Sequence, residues 1–149
     1  MRIVVQRVRA ARVEVEGAIV GEIGVGLCAF VGAGQGDDDA DLEWMASKLA
    51  KLRVFEDESG KMARALADVP GASVLLVSQF TLYGDLRRGN RPSFSSAMPP
   101  EEASSYFERF VERVRALGVI VATGRFGADM RVVVDNDGPV TLWLDSRAR

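Results

Sequence analysis

The chain has 149 residues, 48% hydrophobic and 27% charged, with a formal net charge of −2. That balance fits one soluble domain over residues 1–149 with a real core, and it offers nucleic acid no bulk electrostatic attraction. There is no histidine and only one cysteine, Cys28, which excludes an internal disulfide and a zinc site of the usual ligand types. No metal or cofactor is expected, although a carboxylate Mg²⁺ site stays open in principle.

The first elements read as strands. Arg2 to Val8 alternates, with Ile3, Val5 and Arg7 on one face, and Val13 to Glu16 alternates again before Gly17 and Ile19–Ile23, a hairpin signal. The opening apolar segment is too short for a signal sequence. Leu27 to Val31 is a continuous apolar run that fits a central strand with Cys28 as a buried thiol. The stretch Ile23–Gly34 is interrupted by Gly24, Gly26 and Gly32 and is too short to span a bilayer. These observations point to a cytoplasmic protein with no membrane partner.

The cluster Gly32-Ala33-Gly34-Gln35-Gly36 lacks the Gly-Lys-Ser/Thr ending of a phosphate loop, so it predicts a strand-to-helix turn. Asp37, Asp38, Asp39 and Asp41 suit the helix N-terminus that follows, and Leu42, Met45, Leu49 and Leu52 form its apolar stripe. Arg53-Val54-Phe55 predicts a short strand, and Pro70-Gly71 introduces another over 73–80. A second helix begins at Pro99-Pro100-Glu101-Glu102, carries Ala103, Phe107, Phe110, Val114 and Leu117 inward, and ends at Gly118. Val119 to Asp145 reads as strands broken at 124–127 and at 136–139. Two helices among many strands indicate an α+β class with a strongly curled sheet.

Five sites in the sequence carry candidate chemistry. In Val74-Leu75-Leu76-Val77-Ser78-Gln79-Phe80-Thr81, an apolar strand delivers two hydroxyls and an amide around one aromatic. If the strand end turns, successive N–H groups can converge on one oxygen as an oxyanion hole, and Phe80 can wall a pocket or stack on a base. Thr81 is a weak nucleophile without an adjacent base. In Asp137-Gly138-Pro139-Val140, glycine lets the backbone approach a ligand closely and exclude what projects toward it; a plain turn is the alternative. Gly124-Arg125-Phe126-Gly127-Ala128-Asp129-Met130 places an aromatic and a thioether around a bend, as core or as a base pocket. Arg7, on an apolar strand face, must be hydrogen-bonded, structurally or within a site. The loop bearing Arg87, Arg88 and Arg91 is either solvated or a phosphate contact.

Taken together, Gln6-Arg7-Val8, Gly60-Lys61-Met62, Ser78-Gln79-Phe80-Thr81-Leu82, Arg91-Pro92-Ser93-Phe94-Ser95, the 124–130 segment and Asn136-Asp137-Gly138-Pro139-Val140-Thr141 stand in an informative order and spacing. In these motifs the chain resembles the D-aminoacyl-tRNA deacylases, over essentially its whole length. Tyr83-Gly84 and Gly127 depart slightly from the usual pattern and touch none of the proposed chemistry.

The resemblance implies a homodimer with an α+β, barrel-like fold and sites at the subunit interface. It implies hydrolysis of the ester joining a D-amino acid, or glycine, to the terminal adenosine of tRNA. Ser78, Gln79, Phe80 and Thr81 would form the pocket floor, working largely through main-chain N–H groups. Gly138 and Pro139 would form a cis dipeptide that enters the partner's pocket and excludes L-side chains, braced by Arg7. Phe126 and Met130 would line the adenosine and aminoacyl region, with Ala103 at the pocket edge. Two mechanisms stay open, assistance by the substrate's 2′-hydroxyl and a covalent route through Thr81. A non-catalytic RNA-binding module is the alternative from another class.

Overall fold

The structure is a computed structural model describing residues 1–149. The elements are β1 (Arg2–Val15), β2 (Ala18–Ile23), β3 (Gly26–Gly32), α1 (Asp39–Ala50), β4 (Phe55–Glu56), β5 (Met62–Arg64), β6 (Ser73–Ser78), α2 (Pro100–Ala116), β7 (Ile120–Thr123) and β8 (Arg131–Asp145). Short 3₁₀ turns occupy Leu66–Asp68, Phe80–Tyr83 and Ser146–Ala148. The main sheet runs β2-β1-β3-β6-β7, with β8 also pairing β1, while β4 and β5 form a small separate ribbon. β1 is antiparallel to β2, β3 and β8, whereas β3–β6 and β6–β7 are parallel. The expected α+β class, curled barrel-like sheet and two main helices are all present.

The continuous apolar runs are explained by burial of both sheet faces. Leu27, Ala29 and Val31 of β3, with Val74 and Leu76 of β6, pack with α1 and α2. Cys28, Leu75 and Val77 face the other way, into the curl, where they meet Val8, Ala11, Val13 and Val15 of β1. Burial pushes the Cys28 thiol up to about 12, so it stays neutral and takes no part in chemistry at ordinary pH.

Local signals decide the ends of the elements. Glu16 and Gly17, at φ 50° and 78°, make the two-residue turn joining β1 and β2. Asp38 caps α1 and shares a reciprocal capping box with Asp41. Asp37 does something different, because its buried carboxylate lies 2.7 Å from the α-ammonium of Met1 and accepts from Gly34 N–H at 2.6 Å. Gly118, at φ 84°, follows α2 as the left-handed residue that ends it.

Several boundaries differ from expectation. The stretches read separately at 2–8 and 13–16 belong to one strand, β1, and the break read at 136–139 lies inside the continuous β8. The strand predicted to 80 stops at Ser78, and residues 80–83 coil into a 3₁₀ turn. The strand predicted at 53–55 begins only at Phe55, because the Val54 carbonyl accepts from Arg7 Nη1 at 2.7 Å instead of joining a ladder. Leu117 is the cap residue of α2 and is 38% exposed, so the buried stripe ends at Val114.

The curled sheet brings its two edge strands, β2 and β7, close together without a ladder between them. A β-carbon on Gly21 would stand 2.1 Å from the Thr123 carbonyl oxygen. Gly21→Ala must therefore part these strands, and is expected to cost about 1–3 kcal/mol. A lower urea midpoint with unchanged slope is the predicted result; an unchanged midpoint would contradict the close approach.

Candidate active site

The end of β6 generates the site. Ser78 is paired with Val31 across the parallel ladder, and Gln79 N–H adds one more rung to the Val31 carbonyl at 2.7 Å. The chain then leaves the sheet. Leu82 N–H donates back to the Gln79 carbonyl at 3.4 Å and Gly84 N–H to the Thr81 carbonyl at 3.0 Å. In a 3₁₀ turn the first two N–H groups have no internal acceptor, here those of Phe80 and Thr81. The turn fits only because position 32 is glycine, where a β-carbon would lie 2.8 Å from the Gln79 carbonyl oxygen.

Beside this turn is a cavity of about 550 Å³. Ser78, Gln79 and Phe80 form one wall, Ala103, Tyr106 and Phe107 of α2 another, and Phe126, Gly127 and Met130 a third. Phe94 completes the aromatic lining, set edge-on to Phe80 with ring centroids 5.0 Å apart. Six of the sequence-selected residues, Ser78, Gln79, Phe80, Ala103, Phe126 and Met130, thus converge on one space.

The lining is chemically sparse. Among its 20 residues the one titratable side chain is Tyr106. Burial, and then the nearby charge of Asp37, push its hydroxyl above the ordinary range. That hydroxyl donates to the Asp38 carbonyl at 2.8 Å, so it is a neutral wall group and not a base. The α-ammonium of Met1, whose residue also lines the cavity, is engaged by Asp37 and by Ser146 Oγ at 2.8 Å. Thr81 is outside the lining, and its Oγ1 donates to Gln79 Oε1 at 2.7 Å, an amide oxygen unable to take up its proton.

Arg7, Gly138 and Pro139 form a second group apart from this cavity. β8 pairs Asn136 with Val8 and Thr141 with Gln6, so residues 137–140 bulge opposite Arg7 alone. Asn136 clasps the base of the bulge, accepting from Val140 N–H at 2.9 Å and donating to Thr141 Oγ1 at 3.1 Å. Buried Arg7 donates to the Asp137 carbonyl at 3.2 Å and to the Val54 carbonyl at 2.7 Å. The Gly138–Pro139 peptide bond is cis, and both residues are exposed. Gly138 sits at φ 133°, where a β-carbon would lie 2.8 Å from Val140 Cγ2 and 3.2 Å from Arg7 Nη2.

Over residues 4–145 the chain matches the family model described as D-Tyr-tRNA(Tyr) deacylase. The chain belongs to the D-aminoacyl-tRNA deacylase family. It is 63% identical to the D-aminoacyl-tRNA deacylase of Sorangium cellulosum over 99% of this chain and 98% of that protein. To the deacylase of Thermomicrobium roseum it is 58% identical over 98% of this chain and 94% of that one. Among solved structures it is similar to the c-Myc DNA Unwinding Element Binding Protein, with a TM-score of 0.91 and 42% identity over 97% of this chain and 98% of that one. A probable eukaryotic D-amino acid tRNA deacylase, at 18% identity and TM-score 0.82, shares the fold over 96% of this chain and 97% of that one.

Sequence reading of this deacylase-family chain missed Tyr106, Phe94 and Asp37. Tyr106 lies one helical step from Ala103, a spacing that marks it as a neighbour on the same face. Phe94 lies in the Arg91–Ser95 motif, which by itself does not reveal its contact with Phe80. Asp37 was grouped with the capping aspartates, and only the fold brings Met1 to it. Arg7→Lys keeps the charge but loses the guanidinium fork that spans two carbonyls. It is expected to lower stability by about 1–3 kcal/mol, with fast motion appearing at Asp137 and Gly138 in ¹⁵N relaxation. Unchanged stability and order would mean that Asn136 alone holds the bulge.

Proposed function

We propose that this chain hydrolyses the ester of D-aminoacyl-tRNA, and of mischarged glycyl-tRNA, in a homodimer, releasing free amino acid and tRNA. The observation that carries the mechanism is a cavity whose wall holds no carboxylate, imidazole or free amine, beside a turn with two unpaired main-chain N–H groups. A site of this kind catalyses by position and by oxyanion stabilisation. An aminoacyl ester is already activated, so that is sufficient.

In this reading the terminal adenosine lies against Phe126 and Met130, and the ester carbonyl faces Phe80 and Thr81 N–H. Water adds to the carbonyl carbon, and negative charge collects on its oxygen, where each well-placed donor is worth about 10²–10³ in rate. The neighbouring 2′-hydroxyl of the substrate orients the water and relays its proton to the departing 3′-oxygen. Ser78 and Gln79 shape the floor. Thr81 serves through its backbone, since its hydroxyl is engaged by an amide oxygen.

Chirality comes from the second group. Gly138 and Pro139 of one subunit enter the cavity of the other, and their backbone accepts hydrogen at the substrate Cα while rejecting a side chain. Three observations support this: the bulge is exposed, it is braced by Arg7, and it takes no part in its own chain's cavity. Glycine, with hydrogen on both sides, is then a substrate too.

A second reading rests on the structural neighbour named for binding a DNA unwinding element. Under it the aromatic cavity would hold a nucleotide without hydrolysis. One assay separates the two, following release of amino acid from D-tyrosyl-, L-tyrosyl- and glycyl-tRNA by the wild type and Thr81→Ala. Rapid cleavage of the D and glycyl forms, at least 10²-fold slower cleavage of the L form, and near-normal turnover by Thr81→Ala are expected. Equal D and L rates remove the backbone wall, total loss in a folded Thr81→Ala supports the covalent route, and tight binding without release favours the second reading.

A further inference from the structure

Thirteen of the arginines in this chain either pair with a carboxylate or donate to a backbone carbonyl. Arg88, Arg91 and Arg125 do neither, and all three are exposed. An unpaired guanidinium on a surface is ordinary. What distinguishes these three is their location, because each lies in a segment that also builds the cavity.

Arg88 and Arg91 belong to the loop between the 3₁₀ turn at Phe80–Tyr83 and α2. Its ends are clipped together by Asp85 N–H to the Ser93 carbonyl at 2.8 Å and by Ser93 N–H to the Asp85 carbonyl at 3.0 Å. Phe94, next in the chain, packs edge-on against Phe80 in the cavity wall. A β-carbon on Gly84 would meet the Phe94 ring at 3.2 Å, so the base of the loop is packed against the floor. Within the loop, Asp85 takes Arg87 alone, through Nη2 at 2.6 Å and Nε at 2.9 Å. The loop therefore keeps two uncommitted cations on a fixed base. On a different lining segment, Arg125 directly precedes Phe126 and Gly127, in a turn closed by Ala128 N–H to the Arg125 carbonyl at 3.2 Å.

We propose that Arg88, Arg91 and Arg125 form a phosphate-binding rim that grips the phosphodiesters leading to the 3′-terminal nucleotide of the RNA. The inference rests on the reading that a terminal adenosine occupies the cavity, and it names what holds the next nucleotides. The cavity wall itself offers no free cation to a phosphate, whereas these three uncommitted guanidiniums belong to segments that supply lining residues. Guanidinium matches phosphate oxygens in pairs, and a chain with a net charge of −2 needs such a local positive rim to attract RNA.

The test compares wild type with the triple variant Arg88→Gln, Arg91→Gln, Arg125→Gln on two substrates. One is D-tyrosyl-tRNA and the other is the D-tyrosyl ester of adenosine, which has no phosphate. The ratio of kcat/KM on tRNA to kcat/KM on the adenosine ester is expected to fall about tenfold or more in the variant. The slope of log kcat/KM against log salt on tRNA should become shallower by about 2, at roughly 0.7 per phosphate released from contact. An unchanged ratio overturns the proposal, and so does an equal loss on both substrates, which would mean that the arginines act through cavity shape. If the wild type cleaves neither substrate, the deacylase reading fails on its own. Binding of uncharged tRNA then decides the rim, upheld if the triple variant loses salt-sensitive affinity and overturned if it does not.

Discussion

The hydrogen bond from Gln79 N–H to the Val31 carbonyl is the last rung between β6 and β3, and the cavity takes its form from the ladder ending there. One residue further and the next N–H groups would be spent within the sheet, as backbone donors normally are. Instead the chain coils at Phe80–Tyr83, leaving two adjacent donors unpaired, that of Phe80, a lining residue, and that of Thr81 beside it. Gly32 makes the coil possible by leaving room for the Gln79 carbonyl, and burial on both faces holds β3 and β6 rigid beneath it. Sites on such elements keep their geometry better than sites on free loops.

A second constraint acts at Arg7. A cation on an inward strand face is tolerable only when its donors are satisfied. The Val54 and Asp137 carbonyls do this, at the expense of a rung at β4 and with a broad bulge in β8. The cost in regular pairing yields an exposed, well-braced Gly138–Pro139 loop. Cavity and loop are separate within one chain, so the proposed selectivity requires two chains, whereas the proposed hydrolytic floor is complete in each.

Much of this was legible in the sequence because it rests on local chemistry. The apolar runs at 27–31 and 74–77 reveal strands buried on both faces, and proline with paired glutamates opens α2 as expected. Ser78, Gln79 and Phe80 stand out because a core strand gains nothing from that polarity. What was hidden depends on distant partners. The early end of the strand at Ser78 follows from Gly32, forty-six positions away, and the late start of β4 follows from Arg7. The buried pair of Asp37 with the Met1 ammonium leaves no local trace, since Asp37 looks like one more capping aspartate. Thr81 showed its residue type but not its hydroxyl's partner, the Gln79 amide oxygen.

The proposed hydrolytic site supplies no side-chain base and takes that function from its substrate. The direct measurement is the single-turnover rate on D-tyrosyl-tRNA ending in 2′-deoxyadenosine and charged at its 3′-oxygen, against the natural ribose end. Loss of a positioned proton relay should slow cleavage by about 10²-fold or more with binding largely kept. Equal rates on the two ends would contradict substrate assistance and require a base from the protein.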